Sequence, residues 1–355
     1  MSVRECGEVA VSGGTFQTLG IRPNYSATDG AFRLYGGKVS VSGTGTFDRA
    51  NLYTPIRAGE YVFTDEAVWS KSVSGNYVLC PATEGEKLTM AFLDHSRIKG
   101  DSNGWTLGGT AGTESVLTID SDGEFAVFNY TLSIESGATF NLLQGDIAVG
   151  QRGFDVGGFG GVANLAGGSL SVTGGWSDNN KAMGVLVGYG AKTSVREGRP
   201  YNGLVNLGDC AVTNSDGSTL VGTGYATGTW VQVGGSYQHQ STSRILGIGV
   251  AGAVGSVTIS NGSFSVANTG YIGGAFTNSF PNGNTYVPKG WPIDRHDAEG
   301  TLTFVGGTFT AAKDLILGAD GHGTIERVGA DGSFTAKNLI LSNAVAGVTA
   351  GGTLK

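Results

Sequence analysis

Short alternations of apolar and polar residues run along nearly the whole chain, and glycine interrupts them every few positions. Alternation with a period of two turns every second side chain to one side, which is the pattern of a half-buried strand. No segment keeps apolar residues at the i, i+3, i+4, i+7 spacing of a helix over ten residues, and β-branched residues and glycine are too frequent for helix. The pattern therefore predicts an all-β chain of short strands.

The alternations repeat. Leu165-Ala-Gly-Gly-Ser-Leu170, Val233-Gly-Gly-Ser-Tyr237, Ile259-Ser-Asn-Gly-Ser-Phe264 and Phe304-Val-Gly-Gly-Thr-Phe309 are copies of one module, and Asp331-Gly-Ser-Phe334 repeats its second half. A second module, apolar-x-apolar-Gly, follows each of them: Leu186-Val-Gly188, Leu220-Val-Gly222, Ile245-Leu-Gly247, Tyr271-Ile-Gly273 and Leu315-Ile-Leu-Gly318. Whole units start at Leu204, Trp230, Val257, Leu302 and Ile325, at intervals of 26, 27, 45 and 23 residues. Gly-Gly pairs permit the positive φ at which a chain turns a corner. Each unit then makes one rung of two or three strands that buries its apolar side only against neighbouring rungs. Phe264, Phe309 and Phe334, with Tyr237 in line, are expected to form a stack. The predicted fold is a right-handed parallel β-helix, a single solenoid over residues 1–355. It has roughly a dozen rungs, about 55–65 Å long at the inter-strand spacing. Irregular insertions are expected at about 48–103, 191–201 and 275–299. A propeller blade needs four strands per repeat, and 23–27 residues are too few.

Composition agrees. Gly accounts for 63 of 355 residues, charged residues for 14%, and there are 7 Pro. The net charge of −7 comes without a basic cluster, which argues against a nucleic-acid partner. Cys6, Cys80 and Cys210 are too sparse for a disulfide framework or a zinc site. No apolar run reaches the ~18–20 residues of a membrane helix. The first residues lack the pattern of a signal peptide and the last stop inside a repeat, as expected of a fragment in which Met1 is an added or internal start.

The Gly-Gly-Thr/Ser-Phe module, followed by Leu-x-Val-Gly, resembles the passenger regions of bacterial autotransporters and related adhesins, clearly over residues 161–355 and loosely before. That resemblance implies a pectate-lyase-like right-handed β-helix, secreted or displayed at the bacterial outer-membrane surface, acting in adhesion or as a spacer. Its partners would be host or matrix glycans or surface proteins. Two alternatives stay open: a polysaccharide lyase or glycoside hydrolase on the same scaffold, and a phage tail-spike or filament subunit. Uncapped solenoid ends also suggest end-to-end self-association.

Candidate chemistry is sparse. No catalytic, metal or cofactor constellation stands out, because the Asp and Glu residues are scattered. The densest polar cluster is Asp294, Arg295, His296 and Asp297, near Trp291, Tyr286 and Lys289. It reads as a glycan-contacting loop with Trp291 and Tyr286 as stacking platforms, or as a solvated loop that pairs its own charges. Trp176 follows a turn and is expected to be exposed. Trp105, Trp176, Trp230 and Trp291 could share a sugar-binding face, although Trp230 starts a rung and suits the wall. His95, beside Asp94 and near Arg97, could be oriented for acid–base work, or could serve packing alone. Asp320 and Asp331 fit turn chemistry better than a calcium roll, being 11 residues apart.

Overall fold

The computed structural model describes residues 2–4, 8–18, 33–35, 37–49, 56, 58–70, 75–81, 84–99, 102–108, 112–123, 131–150, 153–157, 159–173, 183–190, 201–224, 226–274, 297–319, 321–342 and 351–355. Every ladder among them is parallel, and no helix occurs among the described residues. The result is a parallel β-solenoid.

Three faces wrap the core. The first is a sheet of 13 strands, from Glu8–Val11 to Gly351–Leu354, in strict chain order. The second starts with Thr15–Thr18, Thr46–Arg49, Val68–Ser70 and Arg97–Lys99, and resumes at Asp146–Val149. The third runs from Gly75–Leu79 to Gly270–Gly274. The long strand Thr308–Leu317 pairs with Ser263–Val266 at one end and Gly270–Gly274 at the other, so it joins the second and third faces. The region 48–103, irregular in sequence, does not interrupt the ladder: Gly59–Phe63 and Lys87–Asp94 sit in the first face in register.

The ladders explain the repeat. Trp230, Val257, Leu302 and Ile325 are direct partners in successive strands, as their spacing predicts. The unit start at Leu204 is one residue off: Val205 lies beside Trp230, and Leu204 points outward. Because the side-chain period is two, a slip of one residue exchanges inside for outside. The third-face copy at 245–247 is likewise displaced, and the corner glycine there is Gly249, with φ +60°.

Inside, Tyr237, Phe264, Phe309 and Phe334 form the expected stack, with ring centroids 4.6, 5.6 and 5.5 Å apart in turn. A second aromatic group, with Phe47 lying 5.1 Å from Trp69 and Phe63 4.7 Å from Phe92, fills the first turns. Each such pair adds about 0.5–1.5 kcal/mol beyond its buried area. The stack ends at Phe334, which is 37% exposed, and Leu339, Ile340 and Leu341 beside it are also exposed.

The corner from third to first face depends on close approach of backbones. A Cβ on Gly255 would lie 2.1 Å from the Gly249 nitrogen and 2.1 Å from the Val221 carbonyl oxygen. Gly228 meets Gly222 and Gly300 meets Gly273 in the same way. The apolar-x-apolar-Gly module is therefore a packing signal, with one glycine turning the corner and another on the next strand leaving room for it.

Candidate functional site

Most of the residues singled out by sequence, Trp291, Tyr286, Asp294, Arg295, His296 and Trp176, lie outside the described residues, as do Lys289 and Asp320. Asp297 is described and is exposed just before the strand Ala298–Phe304. The ladders do fix where the insertions are rooted. The chain leaves the third face at Gly190 and at Gly274, and re-enters the first face at Tyr201 and at Ala298. Both excursions thus start from the same corner of the solenoid. Met183–Gly190 and Gly270–Gly274 are three strands apart in the sheet, which places the roots about 14 Å apart at the usual inter-strand spacing.

Trp105 and Trp230 do not belong to a binding face. Both are fully buried in the core, as is Trp69. An inward position on a rung places an indole among Val and Phe side chains, where its large apolar area stabilises most.

Carboxylates do recur on successive turns at the first corner. Asp65 and Asp94 both adopt left-handed backbone, with φ of 56° and 58°. Each carboxylate accepts a hydrogen bond from the preceding turn: Gly43 N donates to Asp65 at 2.9 Å, and Asp65 N donates to Asp94 at 3.2 Å. These two acids replace the corner glycine of the other turns, which is why the repeat is hard to see there. His95 pairs with Asp122, a residue 27 positions away, rather than with its neighbour Asp94. Asp331 is exposed, and no group of three or more His, Cys, Asp or Glu able to hold a metal occurs among the described residues.

The hydrogen bond to Asp122 raises the His95 pKa above its ordinary 6.5, and the charges of Asp122, Asp94 and Glu66 add to the effect. A raised pKa means the pair stabilises the fold below about pH 6.5 and is lost as pH rises through the shifted value. In Asp122→Asn the His95 titration followed by NMR is expected to move back towards 6.5. An unchanged titration would separate the two residues.

A further acid, unnoticed in the sequence, sits on the third face. Glu135 is half-buried, and burial raises its carboxyl pKa, partly opposed by a hydrogen bond from the Ser133 hydroxyl at 3.1 Å. Ser133 is the ladder partner of Asp155 one turn on. The Tyr189 ring covers the next position, since a Cβ on Gly157 would lie 2.7 Å from it. Sequence spacing hides this arrangement, because the ladder, not the chain, brings residues 133 and 155 together.

The outer wall of the second face is different in kind. Its first outward row reads Asp146, Ser169, Ala211, Ser236, Ser263, Thr308 and Ser333. Its second reads Ser171, Thr213, Gln238, Ser265, Thr310 and Thr335. Beyond Asp146 this is a wall of uncharged, mostly hydroxyl-bearing side chains over six strands. On the first face an amide ladder links Asn206, Asn164 and Asn141, each step 2.8 Å, and ends on Thr118.

These features define a parallel β-solenoid with a hydroxyl-bearing wall on its second face and chain exits from the third face at Gly190 and Gly274. Comparison with known proteins returns no matching family model, no matching curated protein and no matching solved structure.

Proposed function

We propose that the chain is a rigid display segment, a secreted or surface-exposed β-helix of the autotransporter passenger type, that holds its loop insertions away from the cell for adhesion to glycans or surface proteins. The observation that carries this reading is the hydroxyl wall of the second face, whose two outward rows from Ser169 to Ser333 and from Ser171 to Thr335 hold no charged side chain over six strands. Acid–base chemistry needs charged or titratable groups on the wall that meets substrate, whereas a spacer needs only a solvated surface. The common corner of the two insertion roots adds to it, because insertions on one side of a solenoid make one binding edge. Trp291, Tyr286 and the Asp294–Asp297 cluster are the proposed contacts.

The test is removal of residues 276–296, with a short Gly-Ser join, followed by binding to glycan arrays and host-cell surfaces. The rod is expected to keep its β-sheet circular dichroism and lose binding. Binding that survives the deletion would move recognition to the walls, and no binding by the intact chain would sink the adhesive reading. End-to-end self-association through the exposed strand Ser333–Leu341 belongs to the same proposal. Light scattering that stays monomeric over a wide concentration range would remove it. A second reading, polysaccharide hydrolysis, is favoured by one observation alone: the half-buried Glu135 carboxyl one turn from Asp155.

A further inference from the structure

We propose that the turn at residues 215–217 forms an acid-released latch, closed by the neutral imidazole of His239 and opened when that ring takes up a second proton. His239 ends the second-face strand Ser236–His239, and its side chain points into the core. Its ladder row reads Val149, Val172, Asn214, His239, Val266 and Ala311. Two polar residues thus interrupt an aliphatic row. Both are buried, Asn214 at 0% exposure and His239 at 1%.

Their polar atoms hold one turn. The Asn214 amide donates to the Gly217 carbonyl at 2.9 Å and to the Thr219 hydroxyl at 3.0 Å, and its carbonyl accepts from Gly217 N at 3.1 Å. The Thr219 hydroxyl is in turn bonded to the buried Tyr237 hydroxyl. From the next rung, His239 Nε2 lies 3.0 Å from the Gly217 carbonyl. A carbonyl only accepts, so Nε2 carries the hydrogen and Nδ1 is the bare nitrogen. Nδ1 is buried and has no hydrogen-bond partner among the described residues. A second proton would therefore place a charge and an unpaired N–H donor in the core, which is unfavourable on both counts.

Among the described residues no charged group acts on the ring. Val266 and Asn214 flank the ring along the row, and Ser218 and Thr219 begin the adjoining third-face strand. The charged groups on the surrounding turns and strands are Asp216, Arg244 and Lys313. Asp216 is exposed, and Lys313 is engaged with Asn268 at 2.9 Å and the Thr242 carbonyl at 3.3 Å. The ring's proton affinity is set by burial, which lowers its pKa to about 4, and by the Gly217 carbonyl, which opposes this. The neutral ring is needed in the closed form, so the latch is fully stable above about pH 6.5, weakens as pH falls, and levels off below about 4. The gap between 6.5 and about 4 corresponds to as much as roughly 300-fold in the closed-to-open equilibrium.

Hydrogen exchange of the intact chain, corrected for intrinsic rates, tests the latch at pH 7 and pH 4. Gly217 N and Gln240 N, which donate to the Asn214 side chain and backbone carbonyl, are expected to lose at least tenfold protection at pH 4. Amides of Val257 and Leu302 are expected to keep theirs. His239→Gln retains a donor for Gly217 but does not titrate, so its exchange at these amides is expected to be the same at both pH values. Equal loss in the variant and the native chain would overturn the proposal, as would full protection of the native chain at pH 4. Should the variant fail to fold, the ring titration of the native protein decides. A ring that stays neutral to about pH 4 supports the latch, and titration near 6.5 in the folded state overturns it.

Discussion

Replacing Gly255 with valine is expected to unfold the middle of the rod. The new Cβ would lie 2.1 Å from Gly249 N and 2.1 Å from the Val221 carbonyl, which are backbone atoms fixed by the ladders. A flexible side chain could swing away, but these atoms move only if two strands separate. Gly249 cannot yield either: its φ is +60°, and its own Cβ position lies 1.8 Å from the Glu299 carbonyl. A loss of more than about 4 kcal/mol is expected, at the far end of what single substitutions do. Guanidinium unfolding followed by circular dichroism measures it. Gly13→Ala is the control, because nothing lies within 4 Å of that position and its φ is ordinary. It is expected to leave the midpoint unchanged. A Gly255→Val chain within about 1 kcal/mol of the native one would mean that the third-to-first corner is not packed as described.

Trp230→Ala carries the second largest expected effect. Trp230 is fully buried between Val205 and Val257 on its ladder, with Tyr237 at 4.9 Å and Phe264 at 6.1 Å between ring centroids. Truncation removes a large apolar area and leaves a cavity that neighbouring rungs cannot close without shifting register. The expected destabilisation is about 3–5 kcal/mol. The same substitution discriminates between two roles for the residue. A core Trp230 predicts lost stability with glycan binding intact below the melting temperature. A sugar platform predicts the reverse, lost binding with stability within about 0.5 kcal/mol of native.

The parts of the fold legible in the sequence are those where one residue type answers one physical demand. The Gly-Gly pairs turn a corner, the Phe row fills the core, and the Trp230, Val257, Leu302, Ile325 series fixes the register. The same demands can be met by other residues, and there the repeat fades. Asp65 and Asp94 take the corner conformation over residues 48–103, each accepting or relaying a backbone hydrogen bond that a glycine would not. Asn214 and His239 stand where valine stands on neighbouring turns. Aligning the modules column by column would have exposed them as polar residues in an apolar row. Register was harder to read, since Leu204 and Val205 are both aliphatic and only pairing tells which faces inward. The candidate site was legible only as loop positions. Glu135 gave no signal, because the pairing of Ser133 with Asp155 beside it is a property of the ladder, and the buried positions of Trp105 and Trp230 follow from rung parity rather than from residue type.

A display segment that performs no catalysis leaves polysaccharides uncut, so the decisive measurement is product formation. Purified chain would be incubated at length with a panel of polysaccharides and assayed for new reducing ends and unsaturated products. No product above a boiled control is expected on any substrate. Product that appears with the native chain and disappears in Glu135→Gln would contradict it, and would make the third-face acids the centre of an enzyme.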